Sequence, residues 1–457
     1  MNLTAFAFRL ACVVSCCCLA GCSPAAEPAL EGTTSATIDA AAKAEAALPV
    51  VASSAPRADT GQLADATLRR SPAAAASSSA GAPEWSRWLG PNGNGASDET
   101  GLLRTFPADG PKILWRATLG TGFSAIAVAG GRVATLFGAD GREFVVCFDA
   151  ATGDELWKVD SDEDFAAGRA FGPRAMPVFD DGRVFSVGAS GQMLCLDAAT
   201  GDEIWRVHLV DDHDAPLSEE EGLSSTPLVD GERLLMQAGR KLYAFDKASG
   251  ELLWQVLDEP MSHASPAIVT LDGRRQLLVL TAGNLVGLSP EDGREIWRHE
   301  QQAVNIANPV VGSGNRIFAG AAYGYGCQLV EVRGASARQV YKNAVLGSHH
   351  ATPILHDGHL YGFDDRNGIF KCVEFATGEE IWEAREVGKG NIVLADGQLI
   401  VINEEGNLLL APVSPEGFRP TARARVLRGT CYTAPSLADG RLYLRSDGEL
   451  VCISLRD

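Results

Sequence analysis

Hydrophobic positions in this chain fall in short bursts separated by tight polar turns. In Val145-Val146-Cys147-Phe148 an unbroken apolar, β-branched run reads as a buried strand. Asp149 follows, able to accept backbone N–H bonds and open a turn, and Gly153 supplies a position that tolerates positive φ. The chain resumes as Glu155-Leu156-Trp157-Lys158-Val159, polar and apolar in alternation, which predicts a second strand with one covered face. Upstream lies another hairpin, Val128-Ala129-Gly130-Gly131-Arg132-Val133, with counterparts at Val178–Val184 and Leu437–Leu442. The predicted unit is therefore four short antiparallel strands.

The unit repeats. Asp149-x-x-Thr152-Gly153-x-x-x-Trp157 recurs at Asp197/Thr200/Gly201/Trp205 and at Asp246/Ser249/Gly250/Trp254. It returns more loosely at Ser289/Asp292/Gly293/Trp297 and again at Glu374/Thr377/Gly378/Trp382. The first four tryptophans are spaced by about 45 residues, and Trp382 lies two periods beyond Trp297, so a degenerate unit sits between them with Tyr341 near the expected position. Four strands per period predict an all-β fold, a β-propeller of four-stranded antiparallel blades. Counting upstream hairpins gives eight blades, beginning near Ala125, Met176, Thr226, Ser265, Asn308, Thr352, Asn391 and Ala434. The last unit lacks an outer strand, and Lys112-Ile113-Leu114-Trp115-Arg116 is expected to supply it, closing the ring and removing two sheet edges.

The tryptophan turn resembles the docking repeat of the pyrroloquinoline-quinone (PQQ) type β-propellers, whose tryptophans pack on a neighbouring blade and whose blades usually number eight. By that resemblance Trp115, Trp157, Trp205, Trp254, Trp297 and Trp382 are docking residues, with Gly153, Gly201, Gly250, Gly293 and Gly378 in the turns. The segment Trp85–Gly95 is similar to the N-terminal part of PQQ-like propellers of environmental bacteria. The resemblance implies one of two classes. Quinoprotein dehydrogenases bind PQQ and calcium in the central funnel and oxidise alcohols or sugars. Non-catalytic members, such as the propeller lipoprotein of the outer-membrane barrel-assembly machinery, are interaction scaffolds. The vicinal disulfide common beside the quinone is absent here, because adjacent cysteines occur only before residue 22.

The inner strands align on Pro177, Pro227, Pro266, Pro309, Pro353 and Pro435. Three positions before them stand Arg174, Ser224, His263, Ile306, His350 and Tyr432, with Phe123 by extrapolation. These are expected near one mouth of the channel, and none is a carboxylate. Asn305 and Asn308 are the nearest oxygen ligands, too few for calcium. With His349 the candidate ligand surface is Phe123, Arg174, Ser224, His263, Asn308, His349, His350 and Tyr432. Its readings are a water-lined wall, an imidazole-based metal or ligand site without an evident third ligand, or a carbohydrate-binding surface. No catalytic residue or metal site is assigned, and no cofactor is expected unless the dehydrogenase class applies, in which case it is PQQ with calcium.

Composition adds the compartment. Residues 1–21 carry a short apolar core, Leu10–Ala20, too short to span a bilayer and typical of a signal peptide. They end in Leu19-Ala20-Gly21-Cys22, which resembles a lipobox, so Cys22 is the expected lipidation site. Residues 22–83 are rich in Ala, Ser, Pro and Thr and read as a disordered tether, leaving 84–457 as the propeller. The expected location is the cell envelope, lipid-anchored in the outer membrane and facing the periplasm. The expected partners are envelope proteins or peptides, with the propeller itself monomeric. A formal charge of −19 argues against nucleic acid. Of eleven cysteines, Cys147, Cys195, Cys327, Cys372, Cys431 and Cys452 follow the lipobox, none in a CxxC spacing. Cys147, Cys195, Cys372 and Cys452 share one repeat position with Ala244 and Gly287, which marks a tight packing site. Two acidic insertions, Asp160–Asp164 and Asp211–Glu221, are expected as loops on one rim, offering an electronegative lip.

Overall fold

A computed structural model describes residues 81–457 apart from 168–169, 218–221, 303–306 and 367. The signal segment, Cys22 and the tether up to residue 80 lie outside the described residues, as do Asn305, Ile306 and Glu219–Glu221. Among the described residues no helix is long and apolar enough to cross a membrane.

The chain forms eight antiparallel blades of four strands around a central axis. Blade 1 runs from Ala127 to Glu163 and blade 2 from Val178 to His208. Blades 3 to 6 begin at Leu228, Ala267, Val310 and Ile354, and blade 7 spans Gly390 to Arg425. Blade 8 has three C-terminal strands from Ser436 to Ser454 and takes its fourth from Ile113–Thr118, with Trp115 opposite Cys452. The ring closes as expected, so the two ends of the propeller are stitched by a whole strand.

The turns carry the chemistry expected of them. Asp149 Oδ1 accepts the N–H groups of Ala151 and Thr152 at 2.8 and 2.9 Å, and Gly153 has φ 77°. Asp197 and Asp246 repeat the same bonds. All of the repeat tryptophans but Trp297 then lie over the turn of the following blade. Trp115, Trp157 and Trp205 donate their indole N–H to Ala150, Ala198 and Lys247 carbonyls at 3.1 Å, and Trp254 and Trp382 make the same bond to Glu291 and Ser414. A Cβ on Gly153, Gly201, Gly250 or Gly293 would touch the docked indole, so glycine is required there for close approach as well as for φ. Tyr341 performs this role for blade 5, donating to Phe375 O at 3.2 Å and covering Gly378.

Trp297 departs from the pattern. Its indole turns onto its own blade, donates to Gln276 Oε1 at 2.7 Å and sits against Gly287. The outer hairpin of blade 5 turns at Arg333–Ser336 without the Asp-x-x-Thr-Gly motif, so no neighbouring glycine pocket is offered to it. The shared cysteine position is explained by the same register. Cys147, Cys195, Ala244, Gly287, Cys372 and Cys452 each stand opposite the aromatic ring of the next strand, where only a small side chain fits. All six described thiols are free and buried, and burial pushes them up, Cys147 to about 12.

A bulge interrupts the outer pair beside the aromatic residue in blades 1 to 6. It breaks the two-residue alternation beside the aromatic residue, which the sequence pattern does not reveal. The acidic insertions are also more ordered than loops. The outer strand of blade 1 continues through Asp160–Glu163, and Leu209–His213 forms a short helix after blade 2.

Candidate functional site

The innermost strands of blades 2 to 6 are tied to each other by side chains at the position just before the aligned prolines. Met176 N donates to Thr226 Oγ1 at 3.0 Å, Thr226 N to Ser265 Oγ at 2.9 Å and Asn308 N to Thr352 Oγ1 at 2.9 Å. Asn308 belongs to this ring rather than to the ligand surface. It is 5% exposed, and its amide oxygen accepts from Ser265 N and from the Trp88 indole, the latter at 3.0 Å.

One end of the axis is covered by the chain's own N-terminal segment. Trp85 pairs with Val128 of blade 1, Ser86 O accepts from Phe179 of blade 2, and Ala96–Ser97 runs parallel to the inner strand of blade 7. The other end is open. There the segments entering the inner strands bring together Phe123, Tyr432, His350 and His349, as the alignment on proline predicts. Tyr432 lies 5.6 Å from Phe123 and stacks on His350 at 5.3 Å and 7°. His349 follows, 3.9 Å from His350, with Tyr323 edge-on at 5.1 Å. Ser224 Oγ and His263 Nδ1 form a separate pair at 2.7 Å. Arg174 lies on the approach to blade 2, beside Pro173, whose carbonyl accepts from Phe123 N.

A small cleft of about 20 Å³ lies beside the histidines, lined by Phe363, Asp365, Lys389, Asn391 and Tyr432 among others. Asp365 is the residue that the alignment on inner strands misses. It enters from the turn between the second and third strands of blade 6, and its carboxylate lies 3.4 Å from His349 Nδ1 and 3.9 Å from Lys389 Nζ. Burial pushes the Asp365 carboxyl up, but His349 and Lys389 outweigh it and hold it below the usual carboxylate range. Burial drives His350 the other way, down to about 3, with repulsion from His349 and Lys389 adding to it. The imidazole is neutral at physiological pH. The Asp364-Asp365 doublet was the only available signal in the sequence, and nothing in it says which carboxylate faces the mouth. Asp364 faces inward, holding Gly347 N, Arg366 and Lys371.

These residues do not fit calcium. Calcium takes about 6–8 oxygen ligands, whereas the group at the described mouth offers one carboxylate beside two imidazoles.

Eight closed blades, with aromatic rings docked over Asp-x-x-Thr-Gly turns, define a PQQ-like β-propeller. The family model described as "Outer membrane protein assembly factor BamB" matches residues 99–168 and 141–384, and the chain belongs to that family of PQQ-like repeat propellers. Solved structures agree on the fold. BamB from Moraxella catarrhalis is 18% identical with a TM-score of 0.57, covering 75% of this chain and 99% of that one. Quinohemoprotein alcohol dehydrogenase from Comamonas testosteroni is 12% identical with a TM-score of 0.59, covering 82% and 80%. The computationally designed Ika8 protein is 16% identical with a TM-score of 0.52, covering 74% and 98%. No curated protein sequence matches.

Proposed function

We propose that the protein is a non-catalytic scaffold of the cell envelope, tethered through Cys22 to the outer membrane, that docks proteins or peptides on its rim. The observation that carries this reading is a set of apolar side chains on open sheet edges. The residue before the docking tryptophan is exposed at Ile204 (44%), Leu253 (51%) and Ile381 (43%), each on the outermost strand of its blade. An outermost strand also presents unpaired backbone groups, which an extended partner segment can pair while its side chains cover the apolar ones. Family membership supports the same reading, and the poor fit of the mouth to calcium weighs against the dehydrogenase.

The test is a pull-down from solubilised membranes, paired with an absorption spectrum of the same sample. The expected result is a co-purifying envelope protein that is lost with Ile204→Asp/Leu253→Asp, and no quinone absorbance. Robust dye reduction with alcohols or sugars, after reconstitution with PQQ and calcium, overturns the scaffold reading. Cys22→Ala is expected to release the protein from membranes, and its continued membrane partition rejects the anchor.

A further inference from the structure

We propose that His349, His350 and Asp365 bind one divalent first-row transition-metal ion at the open mouth of the propeller. One ligand atom from each lies within 4.8 Å of the other two. Two ligands sharing an ion at about 2.0–2.2 Å stand no more than about 4.4 Å apart, so small side-chain rotations bring the three onto one centre. All three come from blade 6: the histidines precede its first strand, and Asp365 follows its second. A site on one blade is held by a single sheet and needs no movement between blades.

The donor set selects the class of ion. Two imidazoles and one carboxylate suit zinc, iron, nickel or cobalt, while calcium and magnesium prefer oxygen alone. His349 Nδ1 is buried, makes no hydrogen bond and faces Asp365 at 3.4 Å, so it is the coordinating nitrogen. Its Nε2 lies 3.4 Å from the Tyr323 hydroxyl, which orients the ring in the way outer partners orient metal-bound histidines. Tyr432, stacked on His350, fixes the second ring. The cleft beside the histidines has room for about one water as a further ligand. Lys389, 3.9 Å from Asp365 Oδ1, is the competitor: its ammonium neutralises the carboxylate when no ion is bound. The buried thiols do not compete, because each is enclosed and burial raises its pKa.

Full-length protein stripped with a chelator is titrated with Co²⁺, read by its d–d absorption, and with Zn²⁺, read by calorimetry. One ion per chain is expected. His350→Ala and Asp365→Asn should each weaken binding by about tenfold or more, His359→Ala, whose ring bonds the Asp357 carbonyl on an exposed turn, should leave it unchanged, and Lys389→Met should strengthen it. His350→Gln, closer to the native volume, separates lost ligation from lost folding, with circular dichroism as the check. Absence of saturable binding, an unchanged affinity in His350→Gln and Asp365→Asn, or displacement of Co²⁺ by equimolar Ca²⁺ overturns the proposal. Either result leaves the rim-docking reading to its own pull-down test.

Discussion

Glu143 is the side chain whose surroundings conflict most with its charge. It is fully buried between blades 1 and 2, where Oε2 accepts from Ala189 N at 3.0 Å and Oε1 has no hydrogen bond. Burial pushes its pKa from 4.5 up to about 8; the Ala189 N–H opposes this and the neighbouring Asp162 and Asp164 add to it. Because the folded value is raised, the stability it contributes is complete below about pH 4.5 and is lost as pH rises towards about 8. His350, with a depressed value, acts oppositely, its contribution being lost as pH falls from 6.5 towards about 3. The two overlap, so the informative quantity is a difference between proteins. Glu143→Gln is expected to remove a stability loss of up to about 1.4 kcal/mol per pH unit across the window from pH 5 to 8 set by these values. Denaturant melts of both proteins at four pH values check this. The acidic run Asp160–Asp164 was legible as a rim feature, but its inward turn was not: Asp162 bonds Ser190 Oγ and Gln192 N instead of facing solvent. Local charge density in a sequence carries no information about which carboxylate a neighbouring blade will enclose.

At the scale of the element, the docking turn separates two demands on glycine. Gly201 has φ 76° and its missing Cβ faces the Trp157 ring at 2.8 Å, whereas Gly231 has φ 61° and open space around it. Gly231→Ala therefore bears only the left-handed backbone cost of roughly 1–2 kcal/mol. Gly201→Ala bears that cost and also displaces the indole from its carbonyl, for an expected total of about 3–4 kcal/mol. Equal losses in thermal or chemical denaturation would mean that the tryptophan contact is not what requires glycine. The repeat itself was readable because turn residues and tryptophan sit at fixed offsets. Trp297 was not readable as an exception, because its orientation depends on what the next blade's hairpin offers, and the blade 5 turn lacks the Asp-x-x-Thr-Gly motif and leaves Gly334 in open space.

The whole molecule is held closed at the junction of blades 8 and 1. Beyond the paired strand Ile113–Thr118, Arg445 crosses that junction fully buried and donates to Gly122 O, Thr135 Oγ1 and Leu136 O at 2.7–2.9 Å, and to Ser124 O at 3.2 Å. Burial pushes its pKa down to about 9 against the opposing charge of Asp447, and the guanidinium stays charged at neutral pH. Arg445→Leu leaves several buried carbonyls without donors, at about 1–3 kcal/mol each. The expected loss is at least about 3 kcal/mol, with hydrogen exchange rising first at the blade 8–blade 1 junction. Uniform exchange across all blades would show that the junction is no weaker than the rest.

The sequence by itself determined the all-β class, the period, the eight-blade count and the closing strand, because each rests on contacts between residues near in sequence or on a motif repeated at a fixed step. It also located the row Phe123, His350 and Tyr432, since equivalent positions in a symmetric ring necessarily converge on one mouth. Only the tertiary structure decided which mouth is covered by Trp85–Ser97, that Asn308 serves the inner ring, and that Asp365 joins the histidines. Those facts depend on where a non-repeating segment lies and which way one turn faces. Periodicity describes what the blades share, and the candidate site is made from what one blade does differently.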